Sequence, residues 1–409
     1  MKNYKIINKC QISGSKKLNK ILELGFLPPV NQMFKIGTIN INQSFFDTSL
    51  FFCKKSKLVQ INTIVDKKIV FPKNYPYTSS STKILRENFK ELSNEIRRNY
   101  ILKKKFIVDI GSNDGNLLSY FKNDFKILGV TPENIGKIAI KKGIPTLIRY
   151  FDEKTVSTIK RRYGKPDVIT ATNVFAHIDN PKKLLQNILN LLDNNGLFIS
   201  ESHYLIPLIK NLQYDTIYHE HLRYYSLTSL KYFFSLFNLK IIDAKKIPTH
   251  GGSIRVYVSK NKQLKESYKV KKILKNEQKY LDLGSFKKFK DKVVLSKLHL
   301  NKILYNLKKR KKKIFGISAP SRASTLINYT GIDESIIDYI LEIKGSKKIG
   351  KYLPGTKIPI VEEDMLFRKQ PEYVLIFSWH IHKEIIYNLK KKGYRGKFII
   401  PLPHPKIIS

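Results

Sequence analysis

The sequence predicts an α/β protein built as three packed domains, with parallel sheets in the second and third. Three observations lead there: the chain length, a change of apolar period near residue 85, and two stretches in which strand-like and helix-like segments alternate. At about 150 residues per domain, 409 residues make three domains, each large enough to bury its own core. Residues 1–85 read as short apolar runs broken by Gly, Pro and polar clusters, which predicts a small, loop-rich N-terminal lobe held by apolar residues such as Leu24, Phe26, Phe51 and Phe52. From Lys83 the period lengthens, and Ile84, Phe89, Leu92 and Ile96 fall on roughly one helical face. Residues 86–305 then alternate KKFIVDI, NLLSYFKN, FKILGV, ENIGKIAIKK, PDVITAT, PKKLLQNILNLLDNN and GLFISES, the pattern of a parallel sheet with helices on both faces. A lysine-rich helical stretch reaches about residue 313. The strand KIFGIS opens a third, α/β domain over 306–409.

Composition narrows the function classes. Hydrophobic residues make up 42% and aromatics 11%, so the chain is folded, not disordered. No run of about 18 apolar residues exists and the N-terminus has no apolar signal core, so no membrane partner and a cytoplasmic location are expected. Cys10 and Cys53 are too few for a disulfide framework, which fits a reducing compartment. The net charge of +44 would attract nucleic acid or anionic lipid. However, 64 of the 76 basic residues are lysines spread along the chain beside abundant Ile and Asn. That distribution favours a solvated, composition-driven surface over a nucleic-acid footprint. The oligomeric state is not encoded in any of these features.

The clearest chemical signal is the loop after the first strand of the middle domain: Asp109, Gly111, Ser112, Asn113, Asp114 and Gly115, followed by a helix. Glycines there let the backbone turn tightly and approach a ligand, and the helix start offers unpaired N–H groups. A dinucleotide fingerprint would read GxGxxG, whereas this loop reads DxGxxxG. The pattern resembles class I S-adenosylmethionine (SAM) methyltransferases. It implies a Rossmann-like methyltransferase core, with Thr131 at the end of the second strand, Glu133 beyond it, and Asn173 after the fourth strand near the cofactor.

Further motifs make the resemblance more specific. They are the NVFAH segment with His177, the tetrad Tyr218-His219-Glu220-His221, the run from His250 through Ser253 to Arg255, the segment Ala319-Pro320-Ser321-Arg322 with Asn328, and Pro354-Gly355-Thr356. In this order they resemble the SAM-dependent sugar C-methyltransferases, which act on nucleotide-linked keto-deoxysugars. The resemblance implies a small N-terminal lobe, a methyltransferase domain and a C-terminal Rossmann-like domain that binds the nucleotide sugar. It also implies that His221 is the base next to the ketone, with Tyr218 and Glu220 completing the site and His177 and Tyr77 lining it. His250, Ser253, Pro320, Arg322 and Asn328 are implied on the substrate side, with the Arg322 fork on phosphate. A histidine with an ordinary pKa near 6.5 suits a base at neutral pH.

The N-terminal lobe departs from the family pattern. Relatives resemble CxxC…CxxC, a structural zinc site, but here Ser13 and Ser56 stand where two of the four cysteines would be. Serine hydroxyls are poor zinc donors, so no tightly bound metal is expected. A metal held by His219 and His221 is also weighed, without an evident third ligand. Two other functions stay open at this level: O- or N-methylation of a related sugar nucleotide, and RNA binding or methylation.

Overall fold

The computed structural model describes residues 3–71, 80, 82–100 and 102–409. The central sheet is built from strands Phe106–Ile110, Lys126–Thr131, Thr146–Ile148, Val168–Thr172, Leu197–His203, Lys240–Ile247 and Ser253–Ser259. Numbered one to seven in chain order, they lie side by side as 3-2-1-4-5-7-6. The first five run parallel, and the last is antiparallel to both its neighbours. That arrangement is a Rossmann-like methyltransferase core, as the alternation predicts. The strand order reverses between Phe106–Ile110 and Val168–Thr172, and ligands of open α/β sheets sit at the carboxyl edge of such a point.

The C-terminal sheet has the same logic. Strands Pro359–Glu362, Ile340–Glu342, Ile314–Ile317, Tyr373–Ile376 and Lys397–Ile400 pair in parallel, with Lys351–Tyr352 and Lys406–Ile408 antiparallel at the two edges. Its order reverses between Ile314–Ile317 and Tyr373–Ile376. The 27-residue helix Leu283–Lys309, capped by the Asp282 carboxylate accepting from the Ser285 N–H at 2.9 Å, leads into this sheet.

The N-terminal lobe is not closed on itself. Its four-stranded sheet consists of Asn19–Leu27, Phe46–Cys53 and Leu58–Ile61, plus Arg223–Tyr224 from the middle of the chain. The segment that carries the Tyr-His-Glu-His tetrad therefore enters the lobe's own sheet. Two sequence expectations fail here. Phe26 is 71% exposed, because a bulge between Glu23 and Phe26, where Gly25 sits at φ +81°, breaks the alternation that would have turned it inward. In the helix Lys83–Asn99 the buried stripe is Leu85, Phe89, Leu92 and Ile96, spaced four, three and four, while Ile84 in the first turn faces solvent.

The cysteine cluster is also rebuilt without four thiolates. Cys10 Sγ lies 3.1 Å from Ser56 Oγ, and Ser13 Oγ lies 3.5 Å from Cys53 Sγ. Both cysteines are buried, and these contacts between thiols and hydroxyls hold the two knuckles together. Among the described residues no group of three or more His, Cys, Asp or Glu is placed to hold a metal ion, and no helix is long and apolar enough to cross a membrane.

Candidate functional site

The carboxyl edge of the central sheet gathers the loop residues. Gly111 and Gly115 take φ +73° and +78°, and Asn113 and Asn173 also adopt left-handed backbone. A Cβ on Gly111 would come within 2.5 Å of Val174 Cγ2, so this glycine lets the first loop pass beneath the loop after the fourth strand. Asp109 is buried and accepts a bond from Thr170 Oγ1 at 2.6 Å; burial pushes its pKa up to about 7. Asp114 is buried and paired with Lys142 at 3.0 Å. Ser112 Oγ is buried without a hydrogen-bond partner among the described residues, packed where a side chain on Gly129 would otherwise lie. Thr131 donates to Glu133 Oε2 at 2.6 Å, which holds a half-exposed carboxylate at the end of the second strand. A carboxylate at that place is the usual partner of ribose hydroxyls. Left-handed turns, neutral amides and one strand-end carboxylate fit a nucleoside without a pyrophosphate, as SAM is.

Next to this edge lie four histidines from four segments. His177 follows the fourth strand, His203 ends the fifth, His221 closes the tetrad and His250 sits in the turn Thr249–Gly251 at φ +55°. The His221 ring centroid is 5.0 Å from His177, 6.2 Å from His203 and 4.2 Å from Tyr218. His221 Nδ1 lies 2.9 Å from the Thr216 carbonyl, so Nδ1 carries the hydrogen and Nε2 the lone pair. Burial, reinforced by His177 and His203, drives its pKa well below 6.5, which corrects the expectation of an ordinary value. His177 is lowered to about 4, chiefly by burial.

The other tetrad members face elsewhere. His219 Nε2 lies 3.1 Å from the Asp47 carbonyl and 3.2 Å from Thr48 Oγ1, and its ring meets Phe46 edge-on. It docks the N-terminal sheet, so it cannot share a metal with His221. Glu220 is buried, accepts from Asn31 Nδ2 in the N-terminal lobe, and lies near enough to Lys348 of the C-terminal block to act on its charge. Tyr77 lies outside the described residues.

The C-terminal sheet presents its own reversal point to the same histidines. Arg322, after the strand Ile314–Ile317, places NH1 3.0 Å from His380 Nδ1, Nε 3.6 Å from Asp215 Oδ2, and its guanidinium over Trp379. Trp379 Nε1 donates to Asp215 Oδ2 at 2.7 Å. Asp215 lies just before the tetrad, so this cluster locks the third domain's edge against the segment that carries His221. Arg322 is 7% exposed and its charge contributes to lowering His203, His250 and His380. Its guanidinium is thus directed at the histidine cluster. Pro320 caps the helix Ser321–Thr330. Asn328 is a brace: its amide donates to the Pro354 and Ser324 carbonyls at 2.9 and 2.8 Å and packs against Gly355. Ser253 Oγ is buried on the Thr249 carbonyl at 3.2 Å and supports the His250 turn.

Three family models match successive parts of the chain. Residues 10–71 match a zinc binding domain, 84–244 a methyltransferase domain, and 248–403 a C-methyltransferase C-terminal domain. The C-methyltransferase NovU of Streptomyces niveus is 26% identical over 410 aligned residues, covering 98% of this chain and 97% of its own. The chain is a SAM-dependent methyltransferase, similar over nearly its whole length to a C-methyltransferase. The enzyme is also similar to two solved structures. A SAM-dependent methyltransferase from Clostridium acetobutylicum is 18% identical, with TM-score 0.34, covering 44% of this chain and 93% of that one. The magnesium protoporphyrin IX methyltransferase ChlM from Synechocystis PCC 6803, solved with SAM, is 10% identical, with TM-score 0.33, covering 43% and 79%.

Sequence reasoning missed six residues that the fold brings to the candidate site: Asn31, His203, Gln213, Asp215, Trp379 and His380. Only His203 carried a readable signal, a histidine at the carboxyl end of a strand that alternation already placed in the sheet. The others depend on contacts between blocks, such as Asp215 to Trp379 across 164 residues.

Proposed function

We propose that the enzyme methylates the carbon next to the ketone of a nucleotide-linked deoxysugar, with His221 as the base. The observation that carries the reading is the tautomer of His221: Nδ1–H is tied to the Thr216 carbonyl, which leaves Nε2 as the ring's acceptor. SAM, when bound, supplies an electrophilic methyl group on a positively charged sulfur. Carbon becomes a nucleophile only after losing a proton, and a ketone acidifies the neighbouring C–H when its developing oxygen charge is stabilised.

In this reading the chain's own residues divide the work. Gly111, Gly115, Asn173 and the Thr131–Glu133 pair shape the nucleoside cradle. His221 Nε2 takes the proton, Tyr218, tilted 32° against its ring, offers a hydroxyl for the enolate oxygen, and His177 and His250 wall the site. Burial keeps the imidazole neutral and ready to accept, and makes the imidazolium readily give its proton up again. The two strand-order reversal points face one another across the histidines. This supports a substrate lying between the domains, with its sugar at the histidines and its nucleotide toward the C-terminal block.

The test is incubation with SAM and nucleotide-linked keto-deoxyhexoses, with the position of the new methyl read by carbon-13 NMR. A methyl on carbon supports the reading. Methyl on oxygen or nitrogen, or turnover only with RNA, overturns it.

A further inference from the structure

The proposed mechanism uses one histidine as a base, but a second one beside it is held in a defined protonation state. His203 ends the fifth strand, is 8% exposed, and stacks near His221 with ring planes 19° apart. Its Nε2 lies 3.3 Å from Gln213 Oε1. The orientation of Gln213 is determined by its other end, where Nε2 donates to the Gly251 carbonyl at 2.7 Å. A carbonyl accepts only, so the amide nitrogen must face Gly251 and the amide oxygen must face His203. His203 Nε2 therefore carries the hydrogen.

The consequence falls on Nδ1. Burial holds the ring neutral, with Arg322 and His250 adding to the effect, and its pKa is lowered to about 3; Gln213 and the His250 carbonyl oppose this but do not offset it. A neutral imidazole with hydrogen on Nε2 has a bare lone pair on Nδ1. That atom is buried and has no hydrogen-bond partner among the described residues. A buried acceptor without a donor is costly, and such groups in native sites commonly mark the place of a ligand's donor.

We propose that His203 is a specificity residue whose Nδ1 accepts a hydrogen bond from a substrate hydroxyl on a carbon neighbouring the one that faces His221. The inference rests on the C-methylation reading and deepens it, since it selects substrates with a donor at that position. Sites built to pair with a hydroxyl discriminate strongly against analogues that lack it, because the protein atom is then left unpaired.

Two substitutions separate this role from a merely structural one. His203→Asn keeps an acceptor at the position of Nδ1 and loses the atom that meets Gln213. His203→Gln reaches toward Gln213 and loses the acceptor at Nδ1. With SAM and a panel of thymidine- and uridine-diphosphate-linked 4-keto-6-deoxyhexoses, His203→Asn should keep KM for the sugar within about threefold, and His203→Gln should raise it about 10-fold or more. Comparable melting temperatures confirm that both variants fold. The reverse order, or equal KM in all three proteins, overturns the proposal while leaving the functional reading intact. No turnover by the unmodified enzyme with any member of the panel overturns the reading and the proposal together. Nitrogen-15 NMR of histidine-labelled enzyme gives an arm independent of substrate. His203 should show hydrogen on Nε2 and none on Nδ1 from pH 6 to 8, and an imidazolium or the other tautomer overturns the proposal directly.

Discussion

Replacing His221 by Asn is the perturbation that bears most closely on the proposed chemistry. An Asn amide places an N–H near the position of Nδ1, so the bond to the Thr216 carbonyl, 2.9 Å in the unmodified enzyme, can persist while Nε2 is removed. A general base contributes about 10²- to 10⁴-fold, and each tenfold is about 1.4 kcal/mol, so the barrier should rise by about 2.7 to 5.4 kcal/mol. The lowered pKa makes His221 a weaker base than a solvated imidazole, which points to the lower end, near 10²-fold in kcat. Affinity for SAM should change little, because the cradle lies on other loops. The assay is deuterium wash-in from solvent at the carbon next to the ketone, with S-adenosylhomocysteine in place of SAM so that no turnover occurs. The unmodified enzyme should exchange and His221→Asn should not. Equal exchange in both would refute His221 as the base.

Further expectations follow from the same geometry. Because burial lowers His221 well below 6.5, the base is deprotonated through the neutral range and the acid limb of kcat/KM should lie well below pH 6.5; a limb centred at 6.5 would contradict this. Gly111→Ala puts a Cβ 2.5 Å from Val174 at φ +73° and should destabilise by about 1–2 kcal/mol in urea titration, with Val174→Ala recovering part; no loss in the single variant would show that the loop tolerates the contact. Glu133→Gln should weaken S-adenosylhomocysteine binding by about 10-fold in calorimetry, and an unchanged Kd would place the ribose elsewhere. The unmodified enzyme should purify with far less than one zinc per chain, while Ser13→Cys with Ser56→Cys completes four thiolates and should purify with zinc and a raised melting temperature. Stoichiometric zinc in the unmodified protein would show that other groups complete the site.

The architecture was legible where local pattern and burial agree. The alternation over 106–203 and 314–400 predicts both parallel sheets, and the DxGxxxG loop falls at the carboxyl edge of the first strand, where the strand order reverses. Local pattern failed where one residue changes the phase. Phe26 follows a glycine bulge, and the helix at Lys83 buries Leu85 instead of Ile84. The site was legible in part. His221 and Tyr218 do meet, but His219 turns to the N-terminal sheet and Asn328 braces a loop. Motif spacing cannot distinguish these outcomes, because neighbouring positions of one motif face different blocks. His203, Gln213 and the Arg322–Asp215–Trp379 lock arise only when three domains close on one another, and no local period encodes that closure.

The central claim is that the new bond is made at carbon. The most direct measurement uses SAM carrying a carbon-13 methyl group and a carbon-13-labelled nucleotide-linked keto-deoxyhexose. One-bond carbon–carbon coupling then reports where the methyl lands. The account predicts coupling between the new methyl and the ring carbon next to the ketone, with loss of the proton from that carbon. A methyl that shows no carbon coupling and resonates as an O- or N-methyl, with the ring proton retained, would contradict it.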